Sequence, residues 1–232
     1  MISARSDLAQ ASDLDQARLC LAAEELRFLL GRGYPRSRCL DLVGDRHCLA
    51  SQEREILRRG VFSPETSARR RAKLRGLADL AGRPVGLDGH NLLITLESAL
   101  AGRILVRADD GVIRDIARAA RNYKMTELTA KAIQFLVAAL LEQRAAEADF
   151  FLDRPVSFSG LLARLIEEEL ARCQLKGLAQ VSDVPERELK FFKGLVASSD
   201  SELIEACAEP IDLAGLVIDQ CCPKARIIDL VG

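Results

Sequence analysis

Val85-Gly86-Leu87-Asp88-Gly89-His90-Asn91-Leu92-Leu93 is the stretch that decides the fold. Here a short apolar run ends on an acid and a glycine, the pattern of a strand that stops at a turn. Downstream, strand-like runs alternate with helical periods. Ile104-Leu105-Val106 reads as a strand, and Thr126 caps a helix with Ala130, Ile133, Val137 and Leu140 on one face. Asp149 to Leu152 is an apolar run ending at Asp153, and Leu161 to Leu170 is amphipathic. Leu195-Val196-Ala197 runs into Ser198-Ser199-Asp200, Ser201 to Ala208 reads as helix, and Ile211 to Ile218 reads as a last strand interrupted by Ala214-Gly215. The alternation predicts an α/β fold: a mostly parallel sheet flanked by helices.

Upstream the signal is all helix. Leu19, Ala23, Leu26 and Leu30 recur at helical spacing, and Gly31 and Gly33 stop that helix. A second short helix starts at Pro35 and ends at Gly44, a third runs from Ser51 to Gly60, and Ser63-Pro64-Glu65 opens a fourth. The composition shift near Gly82-Arg83-Pro84 divides the chain into a helical domain, 1–80, and an α/β domain, 84–232. Charge divides with it. The 232 residues sum to -1, but residues 1–80 carry +4 and residues 81–232 carry -5. The basic side is densest over 51–76, in Arg54, Arg58, Arg59, Arg69, Arg70, Arg71, Lys73 and Arg75.

Several classes fall away. No apolar run reaches the roughly 20 residues that span a bilayer, and the polar N-terminus has no signal-peptide core. Seven cysteines, an odd number without a Cys-x-x-Cys pair, fit a reducing compartment, so a cytoplasmic location is expected. Cys20, Cys39, His47 and Cys48 match no standard zinc spacing and read as small buried thiols. No membrane partner is expected, and a homodimer is compatible with the sequence.

Three apolar runs end in an aspartate: Asp88, Asp153 and Asp200. Ligands of open α/β sheets bind outside the carboxyl ends of the strands. If these strands are neighbours the carboxylates converge, and converging carboxylates repel unless a cation or proton offsets them. Mg²⁺ or Mn²⁺ would suit such oxygen donors, activating a water and neutralising charge on a phosphodiester. The plainer reading is that strand-end aspartates make turns and caps. Asp109-Asp110-Gly111 is first a turn, with Asp110 a further acid for the rim, while Glu97 and Asp115 fall in expected helices.

Asp88-Gly89-His90-Asn91 after a short strand, and Val196-Ala197-Ser198-Ser199-Asp200 later, resemble the motifs of the NYN branch of PIN-like nucleases. Phe150-Phe151-Leu152-Asp153 lies where these folds have another central strand ending in Asp. That resemblance covers residues 84–220 and implies a Rossmann-like sheet with acids holding Mg²⁺ or Mn²⁺ for RNA hydrolysis. It implies that Asp88 and Asp200 ligate metal or support it, and that Asn91 orients Asp88 or a phosphate. The family's acid at a helix start before the last motif strand has its nearest equivalent in Pro185-Glu186-Arg187-Glu188. The whole chain also resembles the prokaryotic domain of unknown function 434, through Phe28-Leu29-Leu30-Gly31-Arg32-Gly33-Tyr34-Pro35, Leu42-Val43-Gly44-Asp45-Arg46, the Asp88 motif, Asp153-Arg154-Pro155-Val156-Ser157-Phe158-Ser159-Gly160 and Ser199-Asp200.

The expectation is a metal-dependent ribonuclease with Asp88, Asn91, Asp153 and Asp200 as catalytic residues and Asp88, Asp110, Asp153 and Asp200 as metal ligands. RNA backbone would lie on Arg54, Arg58, Arg59, Arg69, Arg70, Arg71 and Lys73, with Arg154, Ser157 and Ser159 holding a phosphate at a helix start. The alternatives are a solvated basic face, a Ser157 or Ser159 helix cap, and a non-catalytic RNA- or nucleotide-binding module. A phosphatase or phosphotransferase on a related sheet is a third reading. His90 is a candidate base beside Asp88 or a loop residue. At 4% aromatic residues, a base-stacking surface is poorly supplied.

Overall fold

The computed structural model describes residues 14–116, 123–156 and 158–230. Four helices come first: α1 (Gln16–Gly31), α2 (Arg36–Arg46), α3 (Ser51–Gly60) and α4 (Pro64–Lys73). Asp15 caps α1 by accepting from the Arg18 N–H at 3.0 Å, and Ser63 caps α4 ahead of Pro64 in its first turn.

A five-stranded parallel sheet follows, built from β1 (Pro84–Asp88), β4 (Glu147–Asp153), β5 (Gly177–Ser182), β6 (Leu195–Ala197) and β7 (Pro210–Ile211). Its spatial order is β5-β4-β1-β6-β7. The chain winds outward from β1 through β4 to β5, then crosses back over β1 to β6 and β7. The order therefore reverses between β1 and β6.

Strand periodicity gives the sheet two unlike faces. Val85, Leu87, Ala148, Phe150, Leu152, Leu195 and Ala197 point into the main core. That core is shared with α5 (Gly89–Leu100), α6 (Glu127–Glu142), α7 (Ser159–Arg172) and α10 (Leu213–Cys221). The opposite face carries a smaller cluster of Phe151, Val196, Leu189, Leu203, Cys207 and Phe192 under α8 (Pro185–Lys190) and α9 (Ser201–Ala206). Gly89 lets α5 begin hard against β4: a Cβ there would lie 2.5 Å from Leu152 Cδ2 and 3.2 Å from the Phe151 carbonyl.

A second sheet has the order β3-β2-β8, from β2 (Ile104–Arg107), β3 (Ile113–Asp115) and β8 (Arg226–Asp229). It joins the two halves of the chain. Ile104, Val106, Ile116 and Leu230 are buried in one cluster with Leu19, Leu26, Leu40, Val43, Ile56 and Leu57 of the first helices. Arg75, beyond α4, donates its N–H to Pro210 O at 2.9 Å and bridges Ile211 beside β7. The sequence boundary near residue 82 is thus crossed by a shared core and by the main sheet itself.

Two expected elements are corrected. Only Pro210–Ile211 is strand in the run expected to be strand from Ile211 to Ile218; the rest is α10, started by Asp212, which accepts from Gly215 N–H at 2.9 Å. Leu213, Ala214, Gly215, Val217 and Ile218 are all buried, so this helix has no polar stripe to reveal its period. Asp115 lies in β3 rather than in a helix, and Glu97 lies in α5 as expected.

Candidate functional site

The three expected aspartates end or follow adjacent strands. Asp88 closes β1, Asp153 closes β4, and Ser198-Ser199-Asp200 leaves β6, so all lie along the carboxyl edge on either side of the reversal point. β1 and β4 pair with Asp88 opposite Phe151, which carries Asp153 two residues further out along the same edge.

Asp88 is the centre. Its residue is 8% exposed, and its Oδ2 accepts from the Ser198 hydroxyl at 2.7 Å. Burial pushes its carboxyl up to about 7; the Ser198 hydrogen bond opposes that shift, and the charges of Asp153, Asp200 and Glu186 add to it. Glu186 stands in the first turn of α8, so an acid at that helix start does face the Asp88 edge. Ser198 Oγ also accepts from the Asp200 N–H at 2.9 Å, and the Ser199 hydroxyl donates to Asn91 Oδ1. The two serines after β6 therefore hold both ends of the Asp-Gly-His-Asn turn. The sequence marked them as a motif but not as anchors.

The flanking acids have other partners. Asp200 Oδ1 caps α9, accepting from Glu202 N–H at 2.8 Å and Leu203 N–H at 3.0 Å. The Asp153 N–H donates to His90 Nδ1 at 3.0 Å, and Asp153 Oδ2 lies 3.1 Å from the same nitrogen. His90 is buried, edge-on to Tyr123 at 5.5 Å, and its Nε2 has no hydrogen-bond partner among the described residues. Behind it, Tyr123 donates to Glu97 at 2.6 Å and Thr129 donates to the same oxygen at 2.8 Å. His90 thus orients the Asp153 end of the site from below.

Asp110 stands apart from these acids. It is fully buried, paired bidentately with Arg114 at 2.7 and 2.8 Å and approached by Arg70 at 3.3 Å. Burial opposes its charge, but the Arg114 hydrogen bonds and positive charge hold its carboxyl below the usual range. An acid already matched by two guanidinia has no charge left for a cation. Arg114 links it to the site edge, since its Nε donates to Ser199 O at 2.8 Å. The signal in the sequence is an arginine directly after the apolar pair Val112-Ile113; in the structure it is 2% exposed.

The basic stretch is turned largely inward. Arg69 and Arg70 donate to Glu205 at 2.7 and 3.1 Å, and Lys73 donates to the carbonyls of Ile204 at 3.2 Å and Glu205 at 2.6 Å. These groups sit at the carbonyl end of α9, where cations are favoured. Arg71 donates to Asp109 O at 2.8 Å, and Arg75 and Arg83 meet Glu209. Arg54 pairs with Asp45 at 2.7 Å and Arg58 with Glu55 at 3.2 Å, and Arg59 is half-buried on α3. Some of the opposite charges of the two halves, read as two surfaces, are each other's partners: Arg27, Arg69, Arg70 and Arg75 pair with acids of the α/β part.

The loop after β4 is likewise committed. Ser159 is buried, with its hydroxyl donating to Asp153 O and Val156 O, both at 2.6 Å. It holds the loop closed and does not cap α7, which starts after Phe158 in the left-handed region at φ 66. Arg154 is exposed and meets Asp183 at 2.7 Å. Ser157 lies outside the described residues.

The donor set at the Asp88 edge consists of carboxylate, hydroxyl and amide oxygens, which suits a hard cation. Among the described residues, no three His, Cys, Asp or Glu side chains stand at metal-ligand spacing, and the cysteines are all free thiols. The described residues therefore do not form a closed cage of three such ligands. Among the described residues, no helix is long and apolar enough to cross a membrane.

Two family models match the chain. A family model described as "Domain of unknown function (DUF5616)" matches residues 77–216, and one described as "Protein of unknown function (DUF434)" matches residues 18–73. An uncharacterised protein of Methanocaldococcus jannaschii is 32% identical over 185 residues, 80% of this chain and 88% of that one. The chain belongs to this family of unknown function. No solved structure matches it. The two family models meet between residues 73 and 77, inside the segment that runs from the α4 clamp to the sheet.

Proposed function

We propose that the chain is a divalent-cation-dependent phosphodiesterase acting on RNA, on a Rossmann-like, PIN/NYN-like sheet. The observation that carries the reading is the coincidence of topology and chemistry. The strand order reverses between β1 and β6, the place where open α/β sheets take ligands, and Asp88 stands at that point with Asp153 and Asp200 on either side. Strand-end aspartates used only for turns would not keep a carboxylate buried with its pKa near 7 amid three other acids.

Asp88, with Asp153 or Asp200, would hold one hydrated Mg²⁺ or Mn²⁺, which when bound supplies an activated water and offsets phosphate charge. The residues of the chain do the positioning. Ser198 fixes the Asp88 carboxyl, and Ser199 fixes the Asn91 carbonyl oxygen and so leaves the amide nitrogen as a donor for a phosphate oxygen. His90 sets the Asp153 end. Of the basic residues, the buried Arg70 is left out of the RNA surface, and the exposed Arg58, Arg71 and Arg154 remain on it.

The test is incubation of mixed labelled RNA with Mg²⁺ or Mn²⁺, comparing the wild type with Asp88→Ala. Cleavage is expected only in the wild type with metal, with the variant slower by at least about a thousandfold, as for loss of a group acting on the transition state. Equal activity in the two, or none in either across many RNA sequences, contradicts the proposal. Phosphate release from small phosphoesters without RNA cleavage would point to a phosphatase.

The spacing of the acids favours a second reading, a non-catalytic RNA- or nucleotide-binding module, because no three of them stand ready for a metal among the described residues. Salt-sensitive RNA binding with no response to Mg²⁺ or Mn²⁺ would select it.

A further inference from the structure

One arginine cluster is not fully neutralised. Phe62, just beyond α3, is 8% exposed, and three guanidinium carbons lie over its ring: Arg70 at 4.5 Å, Arg36 at 4.8 Å and Arg114 at 5.1 Å from the centroid. The acids nearby are already engaged. Asp110 serves Arg114 and Arg70, Glu205 serves Arg69 and Arg70, and Asp109 takes a bidentate pair from Arg27 at 2.8 and 2.9 Å. Two guanidinia have only carbonyl oxygens as partners among the described residues: Arg36 on Arg58 O at 2.5 Å, and Arg71 on Asp109 O. Arg36 is half-buried and Arg71 is exposed, so both are open to solvent at the rim of the cluster.

The electrostatics agree. Burial, followed by the charges of Arg70, Arg58 and Arg114, pushes Arg36 down to about 10. A guanidinium does not give up its proton in a protein. Burial is the larger cause; the neighbouring positive charges add to it, and that added part is what a bound anion would offset. The cluster also touches the candidate site, because Arg114 binds the Ser199 carbonyl next to Asp200.

We propose that the Phe62 cluster is a phosphate-binding subsite, with Arg36 and Arg71 contacting the ligand and Arg70 and Arg114 fixed behind them. Guanidinium forks suit phosphate oxygens in paired hydrogen bonds. Under the ribonuclease reading, on which this extension to RNA rests, the subsite takes a backbone phosphate flanking the Asp88 edge. The same chemistry accepts a free phosphate or pyrophosphate, and Arg36 also closes the carbonyl end of α3, a role that needs no ligand.

The experiment is calorimetric titration of the full chain with a single-stranded RNA oligonucleotide, and separately with inorganic pyrophosphate, for the wild type, Arg36→Ala, Arg36→Lys, Arg71→Ala and the control Arg38→Ala. Each of the two alanine variants is expected to weaken binding by about tenfold or more, the loss of one charge-assisted hydrogen-bonded contact. Arg36→Lys should regain only part of that, and the exposed Arg38 should be silent. RNA affinity that responds while pyrophosphate does not bind assigns the subsite to a polynucleotide; the reverse assigns it to a free phosphate. Wild-type affinity in both Arg36→Ala and Arg71→Ala, or no binding of either probe to the wild type, overturns the proposal. Thermal unfolding separates a merely capping Arg36, whose loss would lower the midpoint while binding stayed unchanged. Asp88-dependent RNA cleavage with unaltered affinity in both Arg36→Ala and Arg71→Ala would sink the subsite alone. Arg36-dependent binding without any cleavage would sink the nuclease reading alone.

Discussion

Asp110→Asn is expected to destabilise the chain by about 3–5 kcal/mol at pH 7, the cost of removing one partner from a buried ion pair. Asp110 is fully buried, and its two oxygens serve Arg114 at 2.7 and 2.8 Å, Arg70 at 3.3 Å and the Val112 N–H at 3.3 Å. Without that charge, Arg114 at 2% exposure loses its bidentate carboxylate and Arg70 at 8% keeps only Glu205, so the variant loses more than a hydrogen bond. The pH dependence has a definite sign. The folded carboxyl titrates below its ordinary value, so its contribution is present above the unfolded pKa and is lost as pH falls through the folded one. Urea denaturation from pH 7 down to acid should therefore show the wild type losing this stability and the variant lacking that loss. A difference below about 1 kcal/mol at pH 7 would mean that the pair contributes no more than a single neutral hydrogen bond.

Asp88→Asn is expected to do the opposite to stability and to abolish activity. The folded Asp88 carboxyl titrates near 7 and the unfolded one near 3.9, so the native state holds a proton that the unfolded chain releases between those values. Stability then falls as pH rises through that window, and the full cost is present above pH 7. Asparagine keeps the size and an oxygen for the Ser198 hydroxyl but has no charge to bury. At pH 8 the variant should be more stable than the wild type by about 2–4 kcal/mol, while the two should converge near pH 4. Mg²⁺ should raise the midpoint of the wild type and leave that of the variant unchanged. Gaining stability while losing function is the mark of a strained functional site. A variant less stable than the wild type at pH 8 would show instead that Asp88 is a structural strand-end residue.

Much of this edge was legible in the sequence because it obeys local rules. β1, β4 and β6 each end on a short apolar run followed by an acid or Ser-Ser-Asp, and the chain order of those runs is enough to suggest a parallel sheet. The α10 helix was not legible, since its first six residues, Leu213 to Ile218, are apolar or glycine with no polar position to mark a period. The second sheet was hidden for a different reason. β3 has 3 residues, too few to show an alternation even though it pairs with β2 as a local hairpin, and β8 has 4 and reaches β2 from the far end of the chain.

The charge pattern was legible but ambiguous. A basic helical part and an acidic α/β part can face a polyanion or face each other, and only coordinates distinguish the two. Arg69, Arg70 and Lys73 end on α9, and Arg27 and Arg71 end on Asp109. Part of the charge asymmetry is thus taken up by pairs between the two halves, while Arg36 and Arg71 meet only carbonyl oxygens among the described residues.

The central proposal is that Asp88, with Asp153 or Asp200, holds one divalent cation at the point where the strand order reverses. Substoichiometric Mn²⁺ added to isotopically labelled full-length chain tests it most directly, through paramagnetic broadening of backbone amide signals. The account predicts that broadening centres on Gly89, His90, Asn91, Asp153 and Ser198 to Asp200, is absent in Asp88→Ala, and is reversed by excess Mg²⁺. Broadening centred on other acids, or an unchanged pattern in Asp88→Ala, would contradict it.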